Sequence, residues 1–242
     1  MAKTNLKKKE RRTGLLFVMP AMVQFVCFFL LPLCLCIIAS MTDWNVLVKN
    51  KNFIGLNNVV ELFGDSKFWI AVRNTVYMLL PIPFYMVLGL LFALACHREL
   101  KGNKVFRVLY YLPYVSSIVA LVLLWKWLFN SEFGLVNQAL GLFGIQGPNW
   151  LGDEALIKVS MIIFMVWKGL GTSIILYLAG LQNIPRSYYE AAMVDGATGW
   201  QKFRNITLPL LSPVTFYILV TTLIGGFQVF VEVQVMTPSG NG

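Results

Sequence analysis

The chain has 242 residues, of which 57% are hydrophobic and only 13% are charged. Soluble domains are about 45–50% apolar and about 25% charged, because a surface that faces water needs polar side chains. The composition therefore excludes an ordinary soluble protein and predicts an all-α bundle of transmembrane helices. The net charge of +9 does not indicate nucleic-acid binding, because the basic residues cluster at the ends of apolar runs.

Five apolar segments are long enough to cross a membrane, which takes about 20 mostly apolar residues. The predicted spans are 14–41, 70–96, 108–129, 156–180 and 211–231. The first span follows a basic stretch, residues 1–13, and it is too long for the apolar core of a signal peptide. We therefore predict a retained membrane anchor and one transmembrane domain over residues 14–242.

The basic residues also predict the orientation of the chain. Lysine and arginine are concentrated in residues 1–13, in the loop 97–107 and in the loop 181–210. The loop 130–155 has three acidic residues and no basic one, and the loop 42–69 balances the two charges. Because cytoplasmic loops carry an excess of lysine and arginine, the amino terminus and the loop 181–210 are predicted to be cytoplasmic.

The cysteines and the single histidine do not indicate a metal or catalytic site. Cys27, Cys34, Cys36 and Cys96 all lie inside apolar runs, whereas metal ligands and disulfides favour polar loops with characteristic spacing. His97 stands beside a basic loop at the end of a span, where an interfacial position is expected. No metal site and no catalytic residue are predicted.

The loop 181–210 has more internal pattern than a simple connector. Ser187 is a candidate N-cap with Glu190 as its capping-box partner, and Gly196 is a candidate helix stop. The pattern predicts a short helix along the inner face of the membrane, followed by a second stretch over 200–206. The residues alone leave two interpretations open, an interfacial anchor and a docking surface for another protein.

Polar residues inside the predicted spans are the other candidates, because such groups are costly in a membrane and are often functional. Lys168 lies near the middle of the fourth span. Thr221, Gly225, Gln228 and Glu232 follow helical spacing in the fifth span and are predicted to share one face that points into the bundle. Both sets could serve helix packing or line a substrate path, and we assign Lys168, Thr221, Gln228 and Glu232 to a substrate path as a hypothesis.

The loop 181–210 resembles the EAA loop of binding-protein-dependent ABC importer permeases. The sequence reads EAA, three residues, glycine, nine residues and I-x-L-P without a gap. The longer run EAAMVDGATGWQKFRNITLPLLSP and the preceding LAGLQNIP resemble the carbohydrate-uptake branch, which includes the maltose and glycerol-3-phosphate permeases. FIGLNNVVELF, RNTVY, RVLYYLP and GLVN agree with the same branch, so the resemblance covers nearly the whole chain.

The resemblance implies that this loop forms a coupling helix that docks on a cytoplasmic ATPase. The implied docking residues are Glu190, Ala191, Ala192, Asp195 and Gly196. The chain contains no G-x-x-x-x-G-K-[ST] phosphate-binding pattern, so it is not expected to be an enzyme or to hold a cofactor, and ATP would be used by the partner.

The resemblance also implies partners, a location and a substrate class. The implied partners are a second permease subunit, with which the chain would form a heterodimer, cytoplasmic ATP-binding subunits, an extracytoplasmic solute-binding protein and membrane lipid. The implied location is the inner membrane of a bacterial or archaeal cell. The implied substrate is a sugar or polyol derivative, which the sequence does not specify further.

Two other classes of membrane protein compete with this interpretation. A secondary transporter of a polar solute would need inverted repeats or paired intramembrane carboxylates, and a membrane enzyme would need a catalytic cluster at one face. The sequence shows neither pattern. Members of the resembled family normally end with a sixth helix, and residues 238–242 are similar to the loop before it, which predicts a fragment or a truncated product.

Overall fold

The computed structural model describes residues 2–44, 52–97 and 103–237, which are almost entirely helical. The only β-pairing in these ranges is a single antiparallel bridge between Thr42 and Phe53. The helices, in chain order, are α1 (Ala2–Phe25), α2 (Leu31–Ser40), α3 (Asn57–Gly64), α4 (Ser66–Leu79), α5 (Pro81–His97), α6 (Asn103–Val115), α7 (Ile118–Leu128), α8 (Leu135–Leu142), α9 (Glu154–Gln182), α10 (Arg186–Val194), α11 (Gly199–Lys202), α12 (Leu208–Leu210), α13 (Ser212–Phe227) and α14 (Val231–Met236). Two π-helical turns, Val26–Leu30 and Phe203–Thr207, join α1 to α2 and α11 to α12.

Three continuous helical stretches in the described part are long and apolar enough to cross a membrane: Arg12–Ser40, Ser66–His97 and Glu154–Gln182. Two further spans exist if a bent pair counts as one span. The pair Val108–Val115 and Ile118–Leu128 is bent by 109°, and the pair Gly199–Leu210 and Ser212–Phe227 is bent by 56°. The prediction of an all-α membrane bundle is confirmed.

The bend between α6 and α7 divides the segment that the sequence predicts as the third span. Pro113 lies inside α6, and its ring nitrogen cannot donate a hydrogen bond to the preceding turn. Ser116, just after the helix, donates its hydroxyl to the carbonyl oxygen of Leu112 at 2.8 Å. The proline weakens the end of α6, and the serine hydroxyl satisfies a carbonyl that the helix no longer uses.

The chain divides into two compact units, residues 1–72 and 73–242. In the first unit, the side-chain amide of Asn58 donates to the carbonyl oxygens of Ser40 at 2.9 Å and Thr42 at 3.2 Å. These bonds hold α3 against the end of α2. The helix Arg12–Ser40 has no buried residue in its most apolar window, so its surface is available for lipid or for another subunit.

In the second unit, α9 is the central helix. Its C-terminal half packs with α5 and α13 in a cluster that includes Ala93, Tyr177 and Ile218. Its N-terminal half packs with α7 and α14 in a second cluster that includes Phe164 and Met236. Small residues let the helices approach: a Cβ atom at Gly89 would lie 2.5 Å from the Cβ of Ser173 on α9.

We expect Gly171→Ala to destabilise the contact between α6 and α9. A Cβ atom at this position would overlap the backbone carbonyl oxygen of Tyr110, which cannot rotate away as a side chain can. The expected cost is about 1–3 kcal/mol, typical of overpacking, and it would be measured as a lower unfolding temperature in detergent. Gly141→Ala is the control, because nothing lies within 4 Å of the added atom, and equal unfolding temperatures for the two variants would contradict the prediction.

Candidate functional site

The loop between α9 and α13 begins with Pro185, which has φ −60° and ψ 134° and precedes the first residue of α10. The predicted N-cap, Ser187, is wrong: it lies in the first turn of α10, and no side chain caps this helix. The physical reason is the proline, because its fixed φ and missing N–H place the helix start directly after it. The predicted capping box between Ser187 and Glu190 therefore does not form.

A capping box does form one helix later, at the start of α11. The amide of Gln201 donates to the hydroxyl oxygen of Thr198 at 3.3 Å, and the amide of Thr198 donates to the side-chain oxygen of Gln201 at 2.7 Å. The T-x-x-Q pattern that encodes this box was present in the sequence and was missed. The box fixes the direction in which the chain returns toward the membrane.

Gly196 ends α10, as predicted. Its φ is +73°, a conformation that favours glycine. Its amide donates to the carbonyl oxygen of Met193 at 3.1 Å, and the next amide, from Ala197, donates to that of Ala192 at 2.8 Å. This pair of bonds is a Schellman motif, which reverses the chain tightly after the helix.

The residues that the resemblance assigns to docking lie around this short helix. Of the five, Glu190, Ala191, Asp195 and Gly196 are exposed and Ala192 is half-buried. Apolar neighbours are exposed too, and Val194 keeps 89% of its accessible surface. On the other side, the hydroxyl groups of Tyr189 and Thr207 are 2.9 Å apart, so α10 is attached to the returning segment. The helix thus presents small, apolar and acidic groups on a surface that is free in the isolated chain.

Two of the predicted path residues meet within the bundle. The Nζ of Lys168 on α9 lies 2.8 Å from Oε1 of Glu232 on α14. The exposed fractions of the two side chains are 32% and 13%. Charges inside a bundle usually pair with each other, and here each supplies the partner that the other needs.

The single polar face predicted for the fifth span is wrong. In the structure α13 ends before residues 228–230, which are not helical, and α14 begins after them. Glu232 therefore lies in a different helix from Thr221. Gly225 and Gly226 come just before the break, and glycine is about 1 kcal/mol less favourable than alanine inside a helix, which explains why the helix ends here.

Thr221 and Gln228 are both exposed in the isolated chain, but they differ in how they are placed. The hydroxyl of Thr221 donates to the carbonyl oxygen of Tyr217 at 2.8 Å, within its own helix. Gln228 caps the end of α13, where the regular backbone stops. Of these two, only Gln228 lies in non-helical backbone, which at membrane depth is tolerated where it is buried in protein or lines a water-filled cavity.

Lys126 is a functional candidate that the sequence reasoning missed. Its Nζ lies 3.1 Å from the carbonyl oxygen of Val235, near the C-terminal end of α14. The C-terminal end of a helix carries partial negative charge, which favours a cation there. The signal was a lysine within the apolar run IVALVLLWKWL, close to the end of the predicted third span.

Aromatic rings from α7 and α9 pack around α14. The rings of Trp125 and Trp167 are 5.3 Å apart between centroids, and those of Trp125 and Phe164 are 5.9 Å apart. Met236, at the end of α14, is completely buried in the same cluster. The cluster holds α14 between α7 and α9.

The described residues contain no group of three His, Cys, Asp or Glu side chains that could bind a metal ion. Cys27, Cys34 and Cys36 lie on exposed surface.

Residues 85–242 match the family described as the binding-protein-dependent transport system inner membrane component. The lactose transport system permease protein LacF of Rhizobium radiobacter is 37% identical, and the alignment covers 100% of this chain and 81% of that protein. The trehalose/maltose transport system permease protein MalF of Thermococcus litoralis is 32% identical, with 99% of this chain and 81% of that protein covered.

The fold is also that of a solved importer. The structure of a bacterial alginate ABC transporter in complex with an alginate pentasaccharide-bound periplasmic protein superposes with a TM-score of 0.81 at 28% identity, covering 96% of this chain and 79% of that one. Helical spans, their connecting loop and these matches define a multi-pass membrane permease. The chain belongs to the family of binding-protein-dependent transport system inner membrane components. The relatives in this family are named as permeases of transport systems.

Proposed function

We propose that the chain is the sugar-conducting permease subunit of an ATP-driven importer and that α10 couples it to a cytoplasmic ATPase. The observation that carries the proposal is the exposed helix α10, closed by the Schellman motif at Gly196, in a chain whose relatives are named as sugar permeases. ATP is bound by the ATPase, and this chain needs no cofactor. A solute-binding protein delivers the substrate from outside, and a second permease subunit completes the path.

The charge distribution supports a cytoplasmic position for the amino terminus and for α10. The basic residues of 1–13 and of the loop 181–210 lie on the same side of the membrane if five spans are crossed. The loop 130–155, without a basic residue, is then external and faces the binding protein. Accessibility of single cysteines to a membrane-impermeant reagent would test this orientation.

A direct test is ATP-dependent uptake. The chain would be co-expressed with its partner permease and ATPase, purified and reconstituted in liposomes with the cognate binding protein. We expect uptake of a labelled oligosaccharide that requires both ATP and the binding protein. Uptake driven by an ion gradient in the absence of ATP would contradict the proposal.

The substrate path is proposed to run past the break between α13 and α14. Gln228 offers an amide there for sugar hydroxyl groups, and Thr221 lies about two turns before it on α13. The pair of Lys168 and Glu232 borders the same break and is proposed to control its width.

We expect Gln228→Leu to lower sugar uptake and leave assembly with the ATPase intact, because leucine removes the amide without adding volume. The loss of one or two hydrogen bonds to a neutral sugar predicts a decrease in transport of about tenfold. Uptake at constant complex concentration would be measured, with Gln234→Leu as the control at an exposed position of α14. Unchanged uptake in Gln228→Leu would count against the path.

A further inference from the structure

The ion pair of Lys168 and Glu232 joins the helix that precedes the loop 181–210 to the second helix of the membrane segment that follows the loop. Lys168 lies on α9, which leads into the loop, and Glu232 lies on α14, which follows the helix that leads out of it. The Nζ of Lys168 and the Oε1 of Glu232 are 2.8 Å apart. A movement of α9 relative to α14 therefore acts on this contact.

The segment α14 is held by its neighbours at both ends. Its first turn is paired with Lys168, and near its last turn Lys126 donates to the carbonyl oxygen of Val235 at 3.1 Å. Met236 is buried in the aromatic cluster. The link to α13 is non-helical over residues 228–230, so α13 does not fix the position of α14 by helix continuity.

Stability alone does not explain a pair of charges at this place. Removing two ions from water is costly, and apolar side chains of similar size would pack α14 as well or better. Buried ion pairs are best understood where they select one of two arrangements. The side chain of Lys168 keeps 32% of its surface accessible. Separation of the pair therefore does not leave its ammonium group fully buried and without a partner.

We propose that the pair of Lys168 and Glu232 is a coupling latch, positioned by Lys126, which is closed in this structure and opens when the ATPase moves the loop 181–210. This inference rests on the proposed function. Closed, the latch keeps α14 against α9 and α7 and disfavours the state in which ATP is hydrolysed. Open, it lets α14 move at the break after α13. The pair thereby makes ATP hydrolysis dependent on the transport cycle.

The test uses the reconstituted complex and compares ATP hydrolysis with and without the binding protein. Lys168→Met and Glu232→Gln each remove the attraction, and we expect each to raise hydrolysis in the absence of the binding protein by about fivefold or more, with less sugar moved per ATP. The charge swap, K168E with E232K, is expected to restore hydrolysis toward the wild-type rate. Lys158→Met is the control, since Lys158 lies on the same helix but its Nζ lies 4.0 Å from Oε1 of exposed Glu154 and 5.4 Å from the centre of the Tyr77 ring, not against Glu232.

Wild-type hydrolysis and wild-type coupling in both single variants would overturn the latch. So would a charge swap that is no better coupled than the single variants, or single variants and swap that all fail to assemble, because a purely structural pair predicts those results. If Lys126→Met raised uncoupled hydrolysis in the same way, this would support its role in positioning α14. Absence of ATP-dependent uptake by the wild-type complex would instead overturn the proposed function itself.

Discussion

Reversal of the charge at Glu190 is expected to abolish association of this permease with its ATPase. Glu190 is exposed on α10, beside two alanines that let another surface come close. Placing like charges against each other at an interface costs several kcal/mol, so Glu190→Arg should lower the co-purified ATPase by at least about tenfold. The measurement is the ratio of ATPase to permease after affinity purification of the co-expressed complex.

The control is Glu61→Arg, which makes the same change at an exposed position of α3. Its complex should keep the wild-type ratio. Normal co-purification of Glu190→Arg, at a permease yield equal to that of Glu61→Arg, would contradict docking through α10.

The second large effect is expected at Gly196, where the backbone has φ +73°. A residue with a side chain in this left-handed conformation costs about 1–2 kcal/mol, and more when it is branched at Cβ. Gly196→Val should open the Schellman motif, tilt the end of α10 and remove the acidic residue Asp195 from its place. We expect loss of ATPase binding and of ATP-dependent uptake.

Two variants make this prediction specific. Gly196→Asn should retain most binding, because asparagine tolerates the left-handed region. Gly199→Val should behave as the wild type, because no atom lies within 4 Å of an added Cβ and φ is not positive there. If Gly196→Val bound the ATPase as Gly199→Val does, the geometry of this turn would not matter for docking.

The helical class and the end of α10 could be predicted from the sequence because both depend on local signals. Long apolar runs predict membrane helices regardless of their neighbours, and Gly196 is a strong stop because few other residues adopt its backbone conformation. The start of α10 was predicted two residues late, since the capping pattern at Ser187 was given more weight than the proline before it. Pro185 determines where the helix begins.

The intramembrane contacts could not be predicted in full because they join residues far apart in the chain. Lys168 and Glu232 were each recognised as costly in a membrane, but their pairing depends on how α14 folds back after the break at 228–230. Regular helical spacing placed Glu232 on the face of Thr221, and that inference failed because the two glycines end the helix. Lys126 was missed since only the tertiary structure shows the carbonyl group that it binds.

The continuity of α9 has a mechanical consequence. It is an uninterrupted helix of 29 residues, about 43 Å long, and three residues separate its end from the start of α10. The helical segment that follows the loop is bent by 56° between Gly199–Leu210 and Ser212–Phe227, and its helix is interrupted again at residues 228–230. A force on α10 would therefore move α9 as one rigid helix. The segment that follows the loop would instead bend before α13 and at residues 228–230. The same force on the loop 181–210 would thus displace α9 and α13 by different amounts at their far ends. A pore that opens at one end and not at the other needs such a difference.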